Sequence, residues 1–231
     1  MPSSTASQSI LPVAELHLAD FWVFDLDNTL YPASCNLFSQ IEKRMTRYVA
    51  DLLNLELDEA YQIQKGYFKE YGTTLRGLMS NHDVEPHAYM DYVHDIDLSA
   101  IQPSPGLDKA LAELPGKKII FTNASTGHAK RVLEQLGITS HFEHIHDIAD
   151  ASFIPKPDPG VYDELVERYA LTPSRTVMVE DMARNLKPAA DLGMTCIWVH
   201  TENDWGQDSS EENHVHHRVD DLAGWIRELT E

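Results

Sequence analysis

The chain has 231 residues, 42% of them apolar, enough for the core of one large domain or of a domain carrying an insertion. Lys and Arg number 18 against 37 Asp and Glu, a net charge of −19, which excludes a general grip on nucleic acid polymers or anionic membranes, because both need a basic footprint. Two cysteines, Cys35 and Cys196, and no apolar run of membrane-spanning length argue against a disulfide-stapled secreted chain and against a membrane span; the expectation is a cytoplasmic protein with free thiols, monomeric or homodimeric.

Taken in chain order, residues 1–18 read as a polar, flexible leader without a signal-peptide pattern. FWVF at 21–24 is a short apolar strand that runs into FDLDNTL, with Asp25 and Asp27 two residues apart. Side chains at i and i+2 of a strand point the same way. Two carboxylates so placed crowd like charge unless a cation sits between them or the chain turns. From Ser34 to Gln102 no strand is evident. LFSQIEKRMTRYVADLL, DEAYQIQKGYFKEY, TTLRGLM and PHAYMDYVHDI all carry helical spacing, so 34–102 is expected to be a small helical cap inserted into a core of 19–33 and 103–231. PSPG at 103–106 is expected to be the return hinge.

Beyond it, KIIFT (118–122), HIH (144–146), TVMV (176–179) and TCIWV (195–199) are strand-like, separated by amphipathic stretches at 127–137, 159–170 and 185–193. Gly137 and Gly193 fit helix C-caps. TENDWGQDSSEEN (201–213) is expected to be a solvated loop, and HVHHRVDDL a last short strand leading into a helix over 221–230. Strand–helix alternation predicts an α/β fold with a doubly wound, Rossmann-like parallel sheet. In such sheets ligands lie beyond the carboxyl ends of the strands. The residues that close the apolar runs are therefore the candidates.

These are Asp25 and Asp27, Thr122 and Asn123, Lys156 within IPKPDP, and Glu180 with Asp181. Each alone is a weak signal; the four in this order fit phosphoryl transfer to a carboxylate. An Asp25 nucleophile divides hydrolysis into two easier steps through an aspartyl-phosphate. Two anions must meet, which calls for a divalent cation, Mg²⁺, on oxygen ligands. Asp25 and Asp181 supply carboxylates, a backbone carbonyl near Asp27 adds a further oxygen, and Glu180 is either a second ligand or an outer contact. Lys156 offsets the remaining charge. The Thr122 hydroxyl and the backbone N–H groups around Asn123 and Ala124 hold phosphate oxygens near a helix start. Asp27 protonates the leaving alkoxide and then deprotonates the attacking water. Arg76, inside a helix that Thr73 or Thr74 caps, and Tyr31, after the nucleophile loop, are further candidates for substrate contact. His94 reads as a structural residue near the cap hinge, while His128 fits either ligand contact or helix-start packing. The clusters at His141, His144 and His146 and at His214, His216 and His217 lack the ligand sets that zinc prefers.

FDLDNTLYPAS, FTNAS, PKPDPGVY and VEDMARN resemble the four motifs of the haloacid dehalogenase superfamily of Asp-nucleophile phosphatases, and the resemblance covers about residues 21–199. It implies the same core with a small α-helical cap. YGTTLRGLM (71–79), YVHDIDLS (92–99) and FTNASTGHAKRVLEQLGI (121–138) resemble its pyrimidine 5′-nucleotidase branch. This implies nucleoside monophosphates such as UMP and CMP as substrates. A sugar-phosphate or phosphoglycolate phosphatase, or a phosphomutase, fits the same core, and a silent phospholigand-binding domain is the alternative outside enzymes. Glu180-Asp181 departs from the Asp-Asp common at the fourth motif.

Overall fold

The computed structural model describes residues 11–201, 204–210 and 212–230. Six parallel strands form one sheet in the order β3-β2-β1-β4-β5-β6: β1 Phe21–Phe24, β2 Lys117–Phe121, β3 His144–His146, β4 Thr176–Glu180, β5 Thr195–Val199 and β6 His217–Val219. This is the doubly wound order. Its switch point lies at β1, which pairs with β2 on one side and β4 on the other.

Alternation along the strands builds two cores. Trp22, Phe24, Ile120, Val177 and Val179 face one way, onto α5 (Pro105–Glu113), α6 (Thr126–Leu136) and α10 (Leu222–Thr230). Val23, Ile119, Phe121, Met178 and Cys196 face the other, onto α7 (Pro159–Tyr169) and α8 (Ala183–Leu192). Gly137 and Gly193 end α6 and α8 in the left-handed region, at φ 77° and 95°, where only glycine avoids a steric cost.

Between β1 and β2 the chain inserts α1 (Leu37–Leu53), α2 (Leu57–Tyr71), α3 (Thr74–His82) and α4 (Pro86–His94). Their apolar faces meet in a third cluster around Ile41, Val49, Leu75, Leu78, Tyr89 and Val93. Two core residues join it: Ile148 is buried there and Phe153 packs against it. Ser152 and Phe153 both take positive φ, 52° and 58°. Gly77 lets α3 approach α2, since a Cβ there would sit 2.4 Å from Tyr67 Cβ.

Three expectations need adjustment. Of the leader, residues 1–10 lie outside the described ones, but Val13–Leu18 is a 3₁₀ helix with Leu16 fully buried, and the Leu11 N–H donates to Thr195 Oγ1. The stretch 103–106, expected as a hinge, is helical from Pro105, which begins α5 and occupies its first turn, where no backbone N–H is required. Part of the acidic stretch forms a four-residue helix, α9 (Asp204–Gln207), while residues 202, 203 and 211 lie outside the described residues. No helix among the described residues is long and apolar enough to cross a membrane.

Candidate active site

The two aspartates of FDLDNTL do not share a strand face. β1 ends at Phe24, the Asp25 N–H still donates to Val179 O at 2.9 Å, and the chain then turns, with Asn28 at φ 64°. The two carboxylates consequently have separate partners. Asp25 Oδ1 accepts from Lys156 Nζ at 2.8 Å and its Oδ2 from Thr29 Oγ1 at 3.0 Å. Asp27 Oδ1 accepts from Tyr31 Oη at 2.6 Å and lies 2.8 Å from His128 Nε2.

Around Asp25 the ends of β1, β2 and β4 converge. Lys156 is buried and its ammonium also donates to Glu180 Oε2 at 2.6 Å and to Phe121 O at 2.9 Å. Its backbone is braced by Asn123, whose Oδ1 accepts from the Lys156 N–H at 2.8 Å. Trp198 Nε1 donates to Asp181 O at 2.8 Å, fixing the turn after β4. Asp25, Glu180 and Asp181 are all buried, with ligand oxygens within 4.8 Å of one another. Three carboxylates thus face a single ammonium. Burial, reinforced by the charge of Glu180, pushes Asp25 up to about 7 against the pull of Lys156. Burial with Glu180 and Asp25 raises Asp181 well above the carboxylate range. Asp181 Oδ2 is buried with no hydrogen-bond partner among the described residues. An all-oxygen donor set with excess negative charge and an unpartnered carboxylate oxygen fits a hard divalent cation such as Mg²⁺. Asp25, Asp181 and Glu180 would hold it, although Glu180 is also the partner of Lys156. The Asp27 carboxylate is not part of this cluster.

Asp27 has the opposite electrostatics. Its burial alone would raise it, but the charge and hydrogen bond of His128 and the Tyr31 hydroxyl outweigh this and lower it to about 2. His128 is in turn stacked on His94, with centroids 4.4 Å apart and planes 19° apart. Burial and the neighbouring His128 lower His94 to about 3.

The remaining candidates divide. Thr122 is buried at the end of β2 and its Oγ1 accepts from the Ala124 N–H at 3.0 Å, so that N–H, expected to hold phosphate, already has a partner. The Asn123 side chain serves Lys156. The Tyr31 ring is buried in the core and its hydroxyl is taken by Asp27, so it is not presented for stacking on a base. Thr73 caps α3, accepting from the Arg76 N–H, and Arg76 Nη1 donates to Phe153 O at 3.5 Å, in the loop that leads to Lys156. The link between Asp27 and His128 spans 101 residues and escaped the sequence reading. Its only trace there was a histidine two residues inside a helix that follows a strand-end Thr-Asn.

A family model described as "Hydrolase: haloacid dehalogenase-like hydrolase" matches residues 22–193. Among curated proteins the chain is 26% identical over 202 residues to "Phosphate metabolism protein 8" of Saccharomyces cerevisiae, covering 80% of this chain and 63% of that protein. The chain therefore spans less than two thirds of that relative's length. It is 29% identical over 194 residues to "Glyceraldehyde 3-phosphate phosphatase" of Methanocaldococcus jannaschii, covering 77% and 83%. Among solved structures, the HAD phosphatase from Thermococcus onnurineus superposes with a TM-score of 0.63 at 18% identity, covering 91% of this chain and 97% of that one.

Proposed function

The chain belongs to the haloacid dehalogenase-like hydrolase family, and from that premise we propose that it is a Mg²⁺-dependent phosphatase of nucleoside 5′-monophosphates, pyrimidine ones such as UMP and CMP favoured, working through an aspartyl-phosphate on Asp25. The observation that carries the phosphatase reading is the separation of two carboxylates two residues apart: Asp25 beside Lys156 and the acidic pair, Asp27 beside His128 and Tyr31. Pairs of acids pushed apart in proton affinity are how one site runs nucleophile and proton chemistry together.

Asp25 attacks phosphorus, and the leaving alkoxide takes a proton from Asp27. Water then attacks the aspartyl-phosphate while Asp27, now a carboxylate, accepts its proton, releasing orthophosphate and free Asp25. A divalent cation, held by Asp25, Asp181 and Glu180, would supply charge neutralisation for the meeting of two anions. Lys156 favours the ionised form of Asp25, opposing the burial and the charge of Glu180 that raise it to about 7. His128 and Tyr31 hold Asp27 ionised, the form needed for the second step. An arriving phosphate dianion favours the protonated form needed for the first.

The nucleotide assignment rests on the likeness of 71–79, 92–99 and 121–138 to the pyrimidine 5′-nucleotidase branch and on the aromatic content of the insertion. A second reading, a small sugar phosphate, is favoured by the archaeal relatives whose name is glyceraldehyde 3-phosphate phosphatase. A panel of nucleoside monophosphates, triose and hexose phosphates and phosphoglycolate, assayed with Mg²⁺ and with EDTA, separates the two. UMP or CMP as the substrate with the highest kcat/KM supports the first, and preference for a triose phosphate replaces it with the second. Asp25→Asn should abolish turnover of every ester in the panel; undiminished hydrolysis refutes the covalent route.

A further inference from the structure

Asp27 Oδ1 carries both of its contacts, Tyr31 Oη and His128 Nε2, while no hydrogen bond among the described residues uses Oδ2. The His128 side chain is fully buried, whereas that of Asp27 keeps 26% of its surface open. A buried imidazole is costly unless its polar atoms are used. His128 Nδ1 has no partner among the described residues, so Asp27 is its one side-chain polar contact. The ring is held from behind. His94, the last residue of α4 in the insertion, stacks on it, and His94 Nδ1 lies 3.1 Å from Ser125 Oγ. Ser125 is the N-cap of α6, the helix that carries His128, and accepts from the His128 N–H. Arg131, one turn further on, donates to His94 O. Two histidines from different parts of the chain are thus locked into one arrangement whose free end is His128 Nε2, 2.8 Å from Asp27 Oδ1.

Resting on the phosphatase reading, we infer that His128 is the positioning residue of this site: with His94 behind it, it clamps Asp27 by Oδ1 and so leaves Oδ2 as the oxygen that exchanges the proton. In the first step the Oδ2 proton moves to the leaving oxygen as its bond to phosphorus breaks. In the second, Oδ2 takes a proton from the water that bonds to phosphorus as the aspartyl bond breaks. The Nε2 proton of His128 stays in place throughout; the histidine orients and does not relay.

The test compares wild type with His128→Phe, which keeps a ring against His94 and removes the donor, and with His128→Gln, whose amide N–H reaches the position of Nε2. Each is assayed with Mg²⁺ on p-nitrophenyl phosphate, whose leaving group needs no proton, and on an alkyl phosphate that does. For His128→Phe the expected result is a loss of about 10–100-fold in the pre-steady-state rate of alcohol release from the alkyl ester, against a change within about threefold in the p-nitrophenol burst, since only this first step differs between the esters, with KM steady. His128→Gln should recover most of the loss. Equal losses on both substrates, a change confined to KM, or no recovery by Gln overturns the inference and leaves a packing role. If His128→Phe does not fold, His128→Asn, too short to reach Oδ1, must show the same selectivity or the inference falls. A wild type inactive on both esters overturns the phosphatase reading itself, whereas an active wild type with an unaffected His128→Phe overturns only the positioning role.

Discussion

Lys156→Met removes the one ammonium in a nest of carboxylates while keeping an apolar stem of similar length. The lost contacts are those to Asp25 Oδ1 at 2.8 Å, Glu180 Oε2 at 2.6 Å and Phe121 O at 2.9 Å, all at a side chain 1% exposed. Deleting one partner of a buried ion pair costs about 3–5 kcal/mol, because the other charge is left uncompensated. At about 2–4 °C per kcal/mol for a domain of this size, the melting temperature in EDTA should fall by about 6–20 °C. The loss has a pH signature. Wild-type Asp25, raised to about 7, stabilises the fold at low pH through its proton, and that contribution is lost as pH rises through 7. Lys156 pulls this value down, so in the variant it lies higher, and ionisation beside Glu180 becomes costlier. The variant's deficit should therefore widen between about pH 6 and about pH 9. Asp25→Asn in the same background should restore part of the stability. A melting shift below about 3 °C, a deficit that ignores pH, or strict additivity in the double variant would refute the account of a single ammonium holding the cluster.

Mg²⁺ should raise the melting temperature more at about pH 8 than at about pH 5, because the cation needs ionised carboxylates and protons compete for them below 7; an equal shift at both would remove the cluster from consideration as its site. Asp27→Asn should keep that Mg²⁺-linked shift while lowering kcat by about 10²–10⁴-fold on esters with poor leaving groups; near-normal turnover of an alkyl phosphate denies it the proton-transfer role. Gly77→Ala should destabilise the insertion by about 1–3 kcal/mol despite the better helix propensity of alanine, because its Cβ meets the Tyr67 ring stem at 2.4 Å; an unchanged or raised melting temperature would show that α2 and α3 yield easily.

The central strands β1, β2, β4 and β5 were readable because each is a largely apolar run followed by polar residues, and Asp25, Glu180 and Asp181 do meet at the carboxyl ends of β1 and β4, with Thr122 following β2 beside them in the sheet. Local pattern also located α1 to α4, whose apolar spacing is long and regular. It failed where one residue type has two meanings. Pro105 reads as turn-forming, and its place in the first turn of α5 follows from the packing of Leu107, Ala110 and Leu111. Leu16 sits in a stretch too short to show a period, and its burial is settled by the sheet face it covers. The partners of Tyr31, Asn123 and Arg76 were out of reach for another reason. A side chain's type says which bonds it can form, but the tertiary fold chooses which atom takes them.

Phe153 and Ile148 belong by chain to the sheet and by contact to the inserted helices, and the loop between them runs on to Lys156 three residues later. That short span answers to two bodies at once. Substitutions that reshape the interior of the insertion, at Leu78 or Tyr89 for instance, therefore have a mechanical path to the ammonium beside Asp25 without touching any residue of the catalytic pocket. Retuning the insertion for a new substrate and preserving the electrostatics of the nucleophile are, in this architecture, a shared constraint on sequence drift.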